Sequence, residues 1–202
     1  MSAKTSLSEL DLICKQAQEA KIDLRRSSKA KKNDALKYAA EFLLKNKAKL
    51  IDANTIDMEL ASQKDLQDSF VDRLELNEKR IDSMISGLDK VINLDDPVGQ
   101  TDQPHTSPSG FEVSKMRVPL GVIGIIYESR PNVTADASAL CLKSGNACIL
   151  RGGSEAANSN AVIEECMQDG LDKASLPKYS IQLIKNQDRK LVGEMIKREG
   201  DI

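Results

Sequence analysis

Two short segments concentrate the residues able to do chemistry: Tyr127-Glu-Ser-Arg-Pro-Asn132 and Leu150-Arg-Gly-Gly-Ser-Glu155. Each follows a run of apolar, largely β-branched residues and precedes a helical pattern. Each therefore sits where a buried strand emerges, at the carboxyl edge where α/β proteins hold ligands. In the second segment, free backbone N–H groups and the positive end of a helix dipole converge on one spot, which favours an anion. Gly152 and Gly153 let a ligand approach the backbone, and Arg151 offers a planar fork of donors matched to a phosphate. The 2′-phosphate on the adenosine ribose of NADP satisfies such a fork; a tight turn whose arginine pairs with a nearby carboxylate accounts for the same residues. In the first segment, Arg130 suits a carboxylate or phosphate, and Asn132 suits a hydrogen bond to a developing oxyanion. Spacing alone equally allows a helix-entry turn, with Pro131 at the first helical position and Ser129 or Arg130 capping.

The elements that must hold these turns alternate. Gly121 to Tyr127 is a continuous apolar run that suits a strand buried on both faces. A helix is expected from Pro131 to about Lys143, its Ala135, Ala137, Ala139 and Leu140 giving a small-residue surface, and Ser144-Gly-Asn146 ends it. Ala147 to Leu150 reads as a short buried strand, Gly152-Gly153 as a turn, and Ser154 or Asn158 as the cap of a helix running through Cys166. A strand at Ser180 to Ile184 and a helix from near Asp188 complete the order β-α-β-α-β-α, which implies a parallel sheet with right-handed crossovers.

Upstream, residues 5 to about 95 are helical in pattern throughout, with Leu36, Ala39, Ala40, Leu43 and Leu44 at i, i+3, i+4 spacing. Asn33-Asp34 and Asn77 are the expected helix starts, and no catalytic cluster occurs here. The turn-rich stretch Asp95 to Gly110 breaks the helical pattern as a linker or crossing segment. Phe111 to Val118 then alternates like a strand with one exposed face. The expected organisation is a helical region over 1–95 packing on the α/β part, a linker and crossing strand over 96–117, and a nucleotide-binding α/β part over 118–202.

Charges nearly balance at a net −2, so the broad basic surface that nucleic acid requires is not indicated. Arg25-Arg26 and Lys29-Ala-Lys-Lys32 are short runs expected on a solvated helix face. The amino terminus has neither a basic nor an apolar leader region, and no window approaches the roughly 20 apolar residues of a membrane span, so a cytoplasmic protein is expected. Cys14, Cys141, Cys148 and Cys166 show no CxxC spacing and His105 stands without a neighbouring ligand, so neither a metal site nor a disulfide framework is expected.

Taken together, the stretch from Val118-Pro-Leu-Gly-Val-Ile-Gly through Arg151-Gly-Gly-Ser-Glu-Ala-Ala-Asn-Ser-Asn160 resembles the glutamate-5-semialdehyde dehydrogenase (gamma-glutamyl phosphate reductase) family of the aldehyde dehydrogenase superfamily. Phe70-Val-Asp-Arg-Leu74, Asp96-Pro-Val-Gly99 and Asn186-Gln-Asp-Arg-Lys-Leu-Val192 extend the resemblance over nearly the whole chain. It implies a Rossmann-like cofactor domain and NADPH-dependent reduction of L-glutamate 5-phosphate to L-glutamate 5-semialdehyde, with release of phosphate, in proline biosynthesis. Tyr127, Glu128, Arg151, Gly152, Gly153, Ser154 and Glu155 fall on the NADP(H) side; Ser129, Arg130 and Asn132 fall on the oxyanion and substrate side. A homo-oligomer and glutamate 5-kinase as a partner are also implied.

The chemistry of the family passes through a cysteine thioester, and a thiolate nucleophile needs exposure and electropositive surroundings. None of the four cysteines fits: Cys148 is expected inside a strand, Cys141 and Cys166 in helices on the sheet, and Cys14 in the distant helical region. The nucleophile is expected beyond residue 202, and residues 1–202 alone are expected not to turn over substrate. A nucleotide-binding or partner-binding module without chemistry is the alternative.

Overall fold

A computed structural model describes residues 2–64 and 66–202, with side chains from Glu9 onward. Five helices come first: α1 (Ser2–Leu24), α2 (Lys29–Lys45), α3 (Lys47–Ser62), α4 (Asp68–Leu74) and α5 (Glu78–Asn93). A hairpin of two-residue strands follows, β1 (His105–Thr106) and β2 (Glu112–Val113). The α/β part runs β3 (Val122–Ile126), α6 (Asn132–Lys143), β4 (Ala147–Arg151), a 3-10 turn at Ser154–Ala156, α7 (Ala157–Lys173), β5 (Ile181–Leu183) and α8 (Lys190–Ile196).

The sheet is parallel in the order β3-β4-β5, as alternating strands and helices require. β4 lies in the middle and is buried at every position, which explains its apolar run from Ala147 to Leu150. α1 and α8 cover one face, α6 and α7 the other, and α2, α3 and α5 pack behind α6 and α7. One hydrophobic cluster runs through all these layers, joining Leu24, Leu36, Leu43, Ile81 and Leu88 of the helices to Ile149, Leu150 and Ile181 of the sheet.

Several expectations are corrected. β3 is not buried on both faces: it forms an edge of the sheet, only Val122 is buried, and Ile126 is exposed. The alternation of Phe111 to Val118 yields a two-residue strand at Glu112–Val113, paired with β1, and a further antiparallel bridge from Met116 to Thr101, and both stretches are exposed because nothing among the described residues packs over them. α2 starts at Lys29 rather than Asn33-Asp34, since the Ser28 hydroxyl accepts from the Lys31 N–H at 3.3 Å. Asn77, by contrast, caps α5 as expected, accepting from the Arg80 N–H at 3.0 Å. The basic run is not wholly solvated either. Lys32 is buried, its ammonium 2.7 Å from Asp96 and donating to the Lys143 carbonyl. Finally, Cys14 is not distant from the sheet, because α1 packs directly on β4.

Candidate functional site

Parallel register sets the two turns side by side. Ile126 pairs with Arg151, the last residues of β3 and β4, and the Tyr127 N–H donates to the Arg151 carbonyl at 3.1 Å. The chain therefore leaves adjacent strands at one level, and the turns touch. The Ser129 hydroxyl donates to Glu155 at 2.9 Å, crossing from the first turn to the second. Below them, the Tyr127 hydroxyl bonds Thr134 at 2.6 Å and Thr134 bonds Asn160 at 2.8 Å, tying the starts of α6 and α7 together. Burial pushes the Tyr127 phenol up to about 12, so it remains a neutral partner in that chain.

The two glycines answer to this contact. A Cβ on Gly153 would press on the Ser129 side chain and lie 3.0 Å from its backbone nitrogen. A Cβ on Gly152 would collide with the Asn160 amide and meet the Tyr127 ring at 3.0 Å. They are thus needed for the packing of one turn on the other, where ligand approach had been the expected reason.

Nor is the start of α7 an open anion site. Neither Ser154 nor Asn158 caps it. Asp57 of α3, itself buried, accepts from the Asn158 and Ser159 N–H groups at 3.1 and 2.8 Å and from both side chains at 2.8 and 2.7 Å. A carboxylate from a distant helix already takes two of the free donors and faces the positive end of the dipole.

Two larger, separate pockets lie around the turns. Tyr127, Arg151, Gly152, Gly153, Ser154 and Glu155 line the first, about 310 Å³, together with Gln187 and Arg189 from the loop before α8. Arg151 is buried; its guanidinium donates to the Gly152 carbonyl and its Nε has no partner among the described residues. Burial pushes the Glu155 carboxyl up, but hydrogen bonds from its own backbone, Ser129 and Ser154 and the charge of Lys64 outweigh it and hold Glu155 below the usual carboxylate range. Glu128 lies outside this pocket, exposed and 3.5 Å from Arg73.

Arg130 and Asn132 line the second pocket, about 600 Å³, on the far side of the first turn, with Arg73, Arg80, Gly87 and Asp136. Asn132 is turned to its own helix, donating to Asp136 at 3.0 Å. Ser129 lines neither pocket; it is buried against Gly153, with its hydroxyl held by Glu155. Sequence reasoning missed Asp57 and Arg80. Arg73, Asp136, Gln187 and Arg189 lay within segments that carried the resemblance, and that was their only signal.

All four cysteines are buried. Burial raises the Cys14 thiol and pushes Cys166 up to about 11. Cys148 is raised well above the usual value by its hydrogen bond with Cys141 and by burial, while the same bond lowers Cys141 against its own burial. None offers an exposed thiolate beside a pocket.

The sequence profile of the aldehyde dehydrogenase family matches residues 2–201. The chain belongs to the aldehyde dehydrogenase family. Among aldehyde dehydrogenase relatives, a gamma-glutamyl phosphate reductase of Clostridium botulinum is 47% identical over 191 residues, covering 95% of this chain and 46% of that protein. The crystal structure of gamma-glutamyl phosphate reductase from Thermotoga maritima superposes with TM-score 0.89 at 45% identity, over 93% of this chain and 45% of that one. The enzyme of that name from Saccharomyces cerevisiae gives 0.82 at 32% identity, over 87% and 46%. An acetylating aldehyde dehydrogenase from Geobacillus thermoglucosidasius, 15% identical at TM-score 0.72 over 96% and 40%, shares the fold alone. The chain spans about half the length of the relatives it matches, 46% in the first case.

Proposed function

We propose that this chain forms the cofactor-binding part of an NADPH-dependent gamma-glutamyl phosphate reductase, an enzyme that reduces L-glutamate 5-phosphate to L-glutamate 5-semialdehyde and releases phosphate in proline biosynthesis. The observation that carries the reading is the 47% identity to proteins of that name across 95% of the chain. The family implies a nicotinamide cofactor, which supplies the hydride when bound. The residues of the first pocket fit its adenosine end: the buried Arg151 Nε lacks a partner, so an anionic oxygen that reaches it satisfies a donor otherwise left unpaired. Arginine there favours the 2′-phosphate of NADPH over the hydroxyl of NADH.

In this reading Tyr127 and the Gly152-Gly153-Ser154-Glu155 turn shape the cofactor pocket. Glu128 acts only through its pairing with Arg73. Arg130 and Asn132 line the substrate-side pocket, Asn132 through its hold on Asp136, and Ser129 fixes the first turn to the second through Glu155. The thioester nucleophile comes from residues other than these four cysteines, so turnover belongs to the whole enzyme. Phe111, Met116 and Val118, exposed along the hairpin segment, support a homo-oligomer. Glutamate 5-kinase, as supplier of the acyl phosphate, is the partner this reaction calls for.

Calorimetry with NADPH and NADH tests the cofactor reading. Arg151→Ala is expected to weaken NADPH by about 1–3 kcal/mol, the scale of a hydrogen bond to a charged group, and NADH much less. Equal losses for the two cofactors would sink the assignment.

A further inference from the structure

The second pocket holds one unmatched cation and one unmatched anion. Arg80 is engaged: it reaches Asp72 at 2.7 Å, Glu75 at 3.6 Å and the carbonyls of both. Arg73 faces Glu128 across 3.5 Å. Arg130, exposed at the mouth, makes no ion pair or hydrogen bond through its side chain among the described residues. Asp136 sits half-buried in the second turn of α6, and the neutral Asn132 amide is its one hydrogen-bond donor there. Burial pushes its carboxyl up, only partly offset by Asn132, so the ionised form lacks the positive neighbour that a buried carboxylate ordinarily has.

The helix opposite leaves room for such a neighbour. Gly87 of α5 faces Asp136, and a Cβ there would lie 3.3 Å from the carboxylate oxygen. A side chain at 87 would press on the carboxylate; with glycine there, both line a pocket of about 600 Å³. A carboxylate without a positive partner and a guanidinium without a negative one, lining one cavity, complement a molecule that carries an ammonium and a carboxylate on one carbon.

We propose that this pocket binds the α-amino-acid end of the substrate, with Asp136 receiving the ammonium and Arg130 the carboxylate. The proposal rests on the reading above, in which the substrate is a derivative of L-glutamate, and it adds the residues that select for the amino group. A dicarboxylate without the ammonium leaves Asp136 unpaired and repelled, so the pocket discriminates against it. Asp136 and Arg130 act as specificity determinants for the amino-acid end of the substrate.

The test is calorimetry of the chain with L-glutamate, with glutarate, which differs by the amino group, and with NADPH as an independent probe of the first pocket. The unmodified chain is expected to bind L-glutamate roughly 10-fold or more tightly than glutarate, the scale of a hydrogen bond between charged groups. The isosteric Asp136→Asn removes that preference, while NADPH binding is retained. Arg130→Gln weakens L-glutamate and glutarate together. Equal affinity for the two acids, or no detectable L-glutamate binding by a chain that still binds NADPH, overturns this proposal and leaves the cofactor reading standing. Discrimination retained without NADPH binding overturns the cofactor reading alone. Because the first comparison uses the unmodified chain, the proposal stays testable even if a variant fails to fold.

Discussion

Gly153 and Ser129 meet where two turns leave neighbouring strands, and the space between them admits no methyl group. Gly153 has φ −62°, a value any residue adopts, so the requirement there is room rather than backbone freedom. Gly153→Ala is expected to destabilise the fold by about 2 kcal/mol through overpacking against the Ser129 backbone, read as a shift in urea midpoint. A change below about 0.5 kcal/mol, within the range of neutral substitutions, would show that the turns separate freely. Arg151, the glycines and Glu155 were conspicuous in the sequence, because strand-turn-helix punctuation exposes them. The bond from Ser129 to Glu155 was not: it joins positions in separate turns, and only the parallel register of β3 on β4 sets them opposite each other.

At the scale of the element, α7 owes its start to α3. A serine or asparagine near 154–158 was the expected cap, but the chain passes through a 3-10 turn there and Asp57 takes the role. Asp57→Ala would leave the Ser159 N–H and hydroxyl buried without an acceptor, so a loss of about 3 kcal/mol is expected from the desolvation of unpaired donors. Hydrogen exchange supplies the check: the amides of Asn158 and Ser159 should lose protection ahead of those in β4. Uniform protection across α7 would count against the cap. A capping box can be read locally, whereas a cap donated from about a hundred residues upstream leaves no local trace. The same applies to β3. Its apolar run matched a buried strand, yet burial depends on what stands beside it, and here it stands at an edge.

At the scale of the molecule, a buried polar knot fastens the segment after α5 to the helical layers. Lys32 of α2 pairs with Asp96 and donates to the Lys143 carbonyl at the end of α6; the Lys143 ammonium donates to Asn33 and to the Ile92 carbonyl. Burial pushes the Asp96 carboxyl up, but the Lys32 hydrogen bond, the Val98 amide and the Lys32 and Lys143 charges outweigh it and hold Asp96 below its ordinary value near 3.8. A depressed carboxylate stabilises the fold above its unfolded value and loses that contribution as pH falls through the folded one. Urea midpoints are therefore expected to hold between about pH 5 and 7 and to fall below pH 4, with Asp96→Asn less stable at neutral pH and shallower in the acid range. Glu155 works in the same sense, and the raised Asp136 and Glu164 in the opposite one. A pH profile of Asp96→Asn parallel to that of the unmodified chain would dismiss the knot as a pH-dependent fastening.

By itself the sequence determined the order of strands and helices, the parallel sheet, the two turns and the family, since each depends on local periodicity, turn chemistry or motif identity. Only the tertiary structure decided how the candidate site residues divide between two pockets, that Asp57 fills the start of α7, that Lys32 is buried in a run resembling a solvated face, and that Asp136 stands unpaired opposite Gly87. The reason is common to all four. Whether a polar group is satisfied or free depends on partners brought from far along the chain, and neither spacing nor composition records which partners those are.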